Sequence, residues 1–338
     1  MAADSVAAAS TAVAADDGSQ LWVSVYILRR KGTSMSRGLI RNLAQRSERA
    51  AHLSTIAMIV IAFACVAAGA QQSAPAGVYV PSEQPKARAF SKPEEAASAI
   101  YAAAKRNDEA DLLLILGPDA KEVVHWSDDP AERQKHREMF AQKYEQMHRL
   151  VKEPDNTIAL YVGSENWPMP IPLVKYHGAW YFDADLGRQE IRYRRIGGNE
   201  MRAVEVCRTL VDAEKEYHAT ANRYTAKFMS GDSSHDGLYW KTVTDAAKSP
   251  IGPYLAQAGV GAPAASHSQP FHGYYYRILL QGSDGFAIVA FPAEYRSSGV
   301  MTFFVSQDGK AYEKDLGERT AALSNEVSSS DDSWKAVQ

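Results

Sequence analysis

Cysteine is almost absent: two residues in 338, Cys65 and Cys207. A disulfide framework and a CxxC zinc site are excluded for any mature form that has lost Cys65. Excess charge is lacking too, with 37 Lys and Arg against 40 Asp and Glu and a formal net charge of −3. The basic surplus sits at the front, +3 on residues 1–70, which leaves −6 on residues 71–338. A surface of that sign repels phosphate backbones, and the short run Tyr193-Arg194-Arg195 cannot reverse it, so no nucleic acid is expected as a partner. No HExxH pattern and no GxSxG context occurs, and no internal repeat. What is there, 46% hydrophobic and 23% charged residues, suffices for a core, and the length suggests about two domains.

One long apolar run stands out. Residues 53–70, LSTIAMIVIAFACVAAGA, are uncharged and follow Arg37, Arg41, Arg46 and Arg49. A basic flank, an apolar helix and small residues at Ala68 and Ala70 make a signal-peptide pattern with cleavage expected after Ala70. The run is near the lower limit for spanning a bilayer, so an uncleaved inner-membrane anchor is the competing reading and the only membrane contact expected. Phe63 sits where a lipoprotein signal needs a small residue, which argues against lipid attachment at Cys65. Residues 1–34 form an Ala-rich extension that suits an export signal poorly; Met35 opens a better one, and residues 35–70 are taken as the signal.

Pro75, Pro81, Pro85 and neighbouring polar residues suggest a flexible linker over residues 71–88. Residues 89–188 read as an α+β domain. Ser91-Lys92-Pro93-Glu94 resembles a capping box before a helix, Asp108 opens a second that Gly117-Pro118 stops, and Asp129-Pro130 opens a third running to about His148. Apolar runs at 157–162, 171–176 and 179–183, the last two joined by His177-Gly178, predict an antiparallel sheet covered by those helices. That order resembles the nuclear transport factor 2-like fold. Residues 189–325 predict a long helix from Gln189 past Tyr217, with Gly197-Gly198 as an interruption, an irregular stretch to about Gln269, and strands at 274–280, 286–292, 300–305 and 310–313. Ser306-Gln307-Asp308-Gly309 is a hairpin turn between the last two. A helix leading into a second antiparallel meander is pilin-like in order. Residues 326–338 are expected to be a tail.

The runs FSKPEEAASAIYAAAKRNDEADLLLILGPD, ENWPMPIPLV, GGNEMRAVEVCRTLVDAEKEYH, HDGLYW, FHGYYYRIL and GFAIVAFPAEYRSSGVMTFFVSQDGKAYEKDLG resemble the bacterial family known as domain of unknown function 2950, over roughly residues 88–320. The resemblance implies an exported protein and assigns it no reaction.

The densest polar and aromatic cluster is His235, Asp236, Tyr239 and Trp240 together with His272, Tyr274 and Tyr276. Aromatic faces stack on sugars or apolar side chains while His and Asp fix orientation, so these seven are the candidate ligand-binding residues. The structural alternative is that Asp236-Gly237 and His272-Gly273 are turns and the alternating tyrosines face a core. A metal role for His235, Asp236 and His272 is disfavoured because adjacent side chains on an extended segment point apart, and no cofactor is implied. Glu294, Asp308, Glu313 and Asp315 read as solvated turn carboxylates rather than a glycosidase pair. Trp167, Pro168 and Pro170 form a stiff, donor-poor stretch that either caps a sheet edge or docks a partner. Cys207 reads as a small buried hydrophobe.

These features favour an exported, non-catalytic α+β envelope module that binds a protein, peptide or glycan, in the periplasm or outside. An envelope hydrolase built on His235, Asp236 and His272 is one alternative. An accessory of a secretion or pilus-like machine is the other.

Overall fold

A computed structural model describes residues 79–231, 234–241, 249–259, 268–282 and 284–337. The extension 1–34, the export segment, its cleavage point at Ala70 and the first half of the expected linker lie outside the described residues. Among those described, no helix is long and apolar enough to cross a membrane. The fold is α+β, with two antiparallel sheets and a long helix between them in the chain, and it divides into two compact units between Tyr193 and Arg194.

In the first unit four helices precede the sheet: α1 Pro93–Lys105, α2 Glu109–Leu116, α3 Lys121–Val124 and α4 Pro130–Gln146. Asp108 and Asp129 cap α2 and α4 by accepting from the Asp111 and Ala131 backbone N–H groups, as their sequence positions predict. The expected capping box at α1 is not made. Lys92 occupies the cap position and Ser91 donates its hydroxyl to Glu95. The helix α4 ends two residues early because Met147 is extended, and His148–Lys152 forms an unpredicted strand, β1. It is a polar edge strand with little alternation in burial, so no hydrophobic period announces it. The sheet continues through β2 Ile158–Val162, β3 Trp167–Pro168, β4 Leu173–Tyr176 and β5 Ala179–Phe182, in the order β1-β2-β4-β5 with β3 beside β2. Asn166, His177 and Gly178 supply the positive φ values of its turns. Ala96, Ala97, Ile100 and Ile115 of the helices close over Leu160, Leu173 and Phe182 of the sheet.

The expected linker is partly docked. The Tyr79 backbone N–H donates to the Asp155 carbonyl at 2.8 Å and its hydroxyl to Asp183 at 2.9 Å, while Arg88 N–H bonds Leu114. Pro81 and Pro85 keep this stretch extended, so it lies along the unit as a strap instead of moving freely.

The helix α5, Ala184–Ala221, contributes its first turns to the first unit and the remainder to the second. It starts five residues before the expected Gln189 and passes Gly197-Gly198 without a break. Two glycines cost a helix about 2 kcal/mol together, and the stripe Ala203, Cys207, Leu210, Val211 and Tyr217, each at most 4% exposed, outweighs that. A short helix, α6 Pro253–Gln257, lies in the stretch expected to be irregular. The strands β6 Tyr274–Gln281, β7 Gly285–Pro292, β8 Met301–Ser306 and β9 Ala311–Asp315 form the meander, and α7 Thr320–Leu323 follows. The expected tail is not free: Lys335–Ala336 pairs with β9 as β10, giving the order β10-β9-β8-β7-β6. One face of the sheet packs Tyr276, Ile278, Phe286, Ile288 and Phe303 against α5. The other packs Val289, Phe291 and Phe304 under Trp334. With both faces covered, β7 is buried along nearly its whole length.

Close packing extends to Gly299, where an added Cβ would lie 2.1 Å from the Tyr274 hydroxyl oxygen. That ring is fully buried and donates to the Met301 carbonyl at 3.0 Å, so it has nowhere to retreat. Gly299→Ala is expected to cost about 2 kcal/mol through overpacking, read as a lower urea midpoint with an unchanged slope.

Candidate functional site

The seven residues singled out from the sequence do separate jobs. Tyr274 and Tyr276 point into the core against α5, fully buried, and their hydroxyls donate to the backbone carbonyls of Met301 and Phe271. Burial raises both phenols well above the ordinary tyrosine range, so neither ionises at physiological pH. The tyrosine alternation that suggested a groove is therefore the inward face of β6.

His272 and Gly273 occupy the two positive-φ positions of the turn between Phe271 and Tyr274, whose backbone groups bond reciprocally. His235 is exposed and stacks on Trp240, with ring centroids 4.5 Å apart. Tyr239 bridges to Met229, and both Tyr239 and Trp240 lean on the core of the second unit. Asp236 is the brace of its loop. It forms an ion pair with Lys227 and accepts from the Ser234 hydroxyl at 2.7 Å and the Gly231 N–H at 3.0 Å. The Lys227 bond, joined by the other two, holds its carboxyl below the usual range. A carboxylate so committed is a poor general base. Among the described residues no group of three or more His, Cys, Asp or Glu is placed to hold a metal ion.

Trp167 is also turned inward, buried with Met169 and Ile171 in the core of the first unit. Pro168 pairs with Tyr161 on β2 and Pro170 is half-buried. The stretch pairs as a short strand alongside β2, with the indole 8% exposed.

Two concave places lie elsewhere. In the first unit a pocket of 170 Å³ sits under the strap, bounded by Gln84, Lys86, Gly117, Asp119, Asp183 and Asp185. Two of its carboxylates are in structural use: Asp183 caps α5 at Leu186 N–H and receives the Tyr79 hydroxyl, and Asp185 pairs with Arg188. In the second unit an open groove of 590 Å³ lies at the end of the sheet where the β6–β7 and β8–β9 turns sit side by side. Phe286 forms its floor, and Lys215, Gln281, Gln307, Lys310 and Tyr312 are among its walls. Behind it, His218 stacks on Tyr224 at 4.4 Å and Tyr224 leans on Phe286 at 4.7 Å, which sets the Tyr224 hydroxyl to receive the Gln307 amide at 2.8 Å. Neither concavity is lined by any of the seven sequence-derived residues. The groove was not legible because its members come from α5, four strands, a turn and the segment after α7, and no local pattern joins them.

Sequence reasoning also missed two ionisable groups on α5, one buried and one half-buried. Glu214, on α5, has no solvent exposure; one carboxylate oxygen accepts from Thr225 N–H at 3.1 Å and the other has no hydrogen-bond partner. Burial pushes its carboxyl up to about 7. Its signal was present: Glu214 falls on the apolar stripe at 207, 210, 211 and 217, where a charge is out of place. Glu200, nearer the start of the same helix, accepts from the Val300 and Met301 N–H groups at 3.0 Å each. Burial raises its pKa, and the charges of Glu313 and Asp315 add to the shift.

A family model described as a protein of unknown function (DUF2950) matches residues 87–337, and the chain belongs to that family. No curated protein and no solved structure matches it.

Proposed function

We propose that this member of the family is an exported envelope protein of bacteria that works by binding, without catalysing a reaction. Its expected ligand is a protein, peptide or glycan met outside the cytosol. The basic flank and apolar run ending at Ala70 support the compartment. The observation that carries the binding reading is the separate placement of the three groups considered for chemistry: Asp236 paired with Lys227 in its loop, His235 stacked on Trp240, His272 at a positive-φ turn. An enzyme site needs such groups convergent and available to a substrate. The open groove at the end of the second sheet, with its polar walls, is the concavity among the described residues that supports holding a ligand.

Incubation of the purified chain with cell-wall fragments tests both halves of this reading. Retention of a wall or envelope component without release of any new product is the expected result. Product release that disappears in His272→Ala or Asp236→Asn, with the fold intact by circular dichroism, would establish the hydrolase instead.

A further inference from the structure

The geometry points to a carboxylate-bearing saccharide as the ligand of the groove between the β6–β7 and β8–β9 turns. The inference deepens the binding reading and rests on it. The groove carries more donors and acceptors than the fold uses. Gln307 spends one amide proton on Tyr224, which fixes the plane of its amide and leaves its carbonyl oxygen without a hydrogen bond among the described residues. The Tyr312 hydroxyl likewise has no hydrogen-bond partner among them, and Gln281 makes only a 3.5 Å bond to the Ser328 carbonyl. Oriented amides, a phenol and the Ser330 hydroxyl offer both donors and acceptors, the set that matches a ring bearing several hydroxyl groups; the Ser306 hydroxyl is already spent on Asp308 within the turn.

Charge selects an acidic ligand. Lys310 is neutralised by Asp308 at 2.7 Å, whereas Lys215, exposed on α5, has no ion-pair partner among the described residues. The groove is thus locally positive on a chain of net charge −3, and one ammonium suits one carboxylate. A peptide fits less well. Phe286 is the single large apolar lining residue and is wholly buried, so the walls hold no pocket for an apolar anchor. Hydroxyl recognition on an open polar shelf needs no such anchor.

Calorimetric titration of the whole chain with trigalacturonate, and with galactotriose as the uncharged probe, tests this. Trigalacturonate is expected to bind at least tenfold more tightly than galactotriose, with affinity falling as salt rises. Lys215→Ala should abolish that preference, since a lost charge-assisted bond is worth about tenfold or more. Lys215→Arg should restore most of it, and Tyr312→Ala should weaken both sugars. Equal affinity for the two probes, no binding of either, or a preference untouched by Lys215→Ala would overturn the saccharide assignment. The wider binding reading is judged separately, by retention of an envelope component on the same protein: retention insensitive to Lys215→Ala leaves binding standing and the saccharide rejected, and absence of retention together with turnover of wall fragments rejects both.

Discussion

Replacing Glu214 by Gln is expected to flatten the pH dependence of stability between pH 4.5 and 7. Glu214 is held at about 7 by burial, against an ordinary value of 4.5. Below 4.5 the carboxyl is neutral in both states and costs nothing. As pH rises, the unfolded chain ionises first while the folded protein keeps its proton, so the unfolded state gains and stability falls until the folded group ionises as well. The loss accumulates to about 3 kcal/mol and stays lost at pH 8. Gln keeps an oxygen for the Thr225 N–H, but its buried amide protons also need partners, which costs about 1 kcal/mol. The net expectation is a variant more stable than the parent by about 2 kcal/mol at pH 8 and slightly less stable at pH 4. Urea unfolding at a series of pH values checks it: a parent curve that rises from pH 4.5 to 7, or a variant that keeps the parent slope, contradicts the assignment. Burial acts in the same direction on Glu200 and Glu313, so a residual slope of that sign should remain.

Arg277→Leu is expected to be strongly damaging, because this guanidinium has no carboxylate partner among the described residues and spends both terminal nitrogens on main chain, its buried Nε staying without a partner. It lies on β6, buried, and donates to the carbonyls of Ser324, Asn325 and Val327 just beyond α7, the Asn325 and Val327 bonds being 2.9 and 3.0 Å. Three carbonyls at a helix end are tied by one cation, which also complements the negative end of that turn. Leucine fills much of the volume but leaves those oxygens unsatisfied. We expect a loss of about 3 kcal/mol or more, with limited proteolysis releasing residues 324–337 before the rest of the unit opens. Lysine preserves the charge without the fork and should recover less than half of the loss. A leucine variant within 1 kcal/mol of the parent, still protected at its C-terminal end, would contradict this role.

The alternation and turn chemistry made both sheets legible. His177-Gly178 and Ser306-Gln307-Asp308-Gly309 are turns where they were expected, and Asp108 and Asp129 cap the helices they precede. Elements held mainly by distant partners escaped notice. The edge strand β1 and the two residues of β10 have no hydrophobic period of their own, and the strap at residues 79–88 is ordered by bonds to Asp155, Asp183 and Leu114. Gly197-Gly198 reads as a break and is overruled by a stripe that the tertiary core rewards. Tyr274 and Tyr276 were ambiguous for a related reason: a tyrosine-rich strand looks the same whether its rings face a ligand or a core, and the sheet's placement against α5 buries these two. The two ionisable groups with the largest expected effects were visible as misfits, Glu214 on an apolar helix stripe and Arg277 within the run Tyr274-Tyr275-Tyr276-Arg277-Ile278-Leu279.

Cys207 sits at the centre of α5 with no solvent exposure, and burial raises its thiol far above the range in which it could ionise. In a Cys65→Ser background it becomes a clock. An alkylating reagent can reach the sulfur only when the helix lifts from the sheet, so the rate of mass increase at saturating reagent counts openings directly. That single-substitution chain thereby reports, through its own thiol, how often its second unit breathes, with no dye attached.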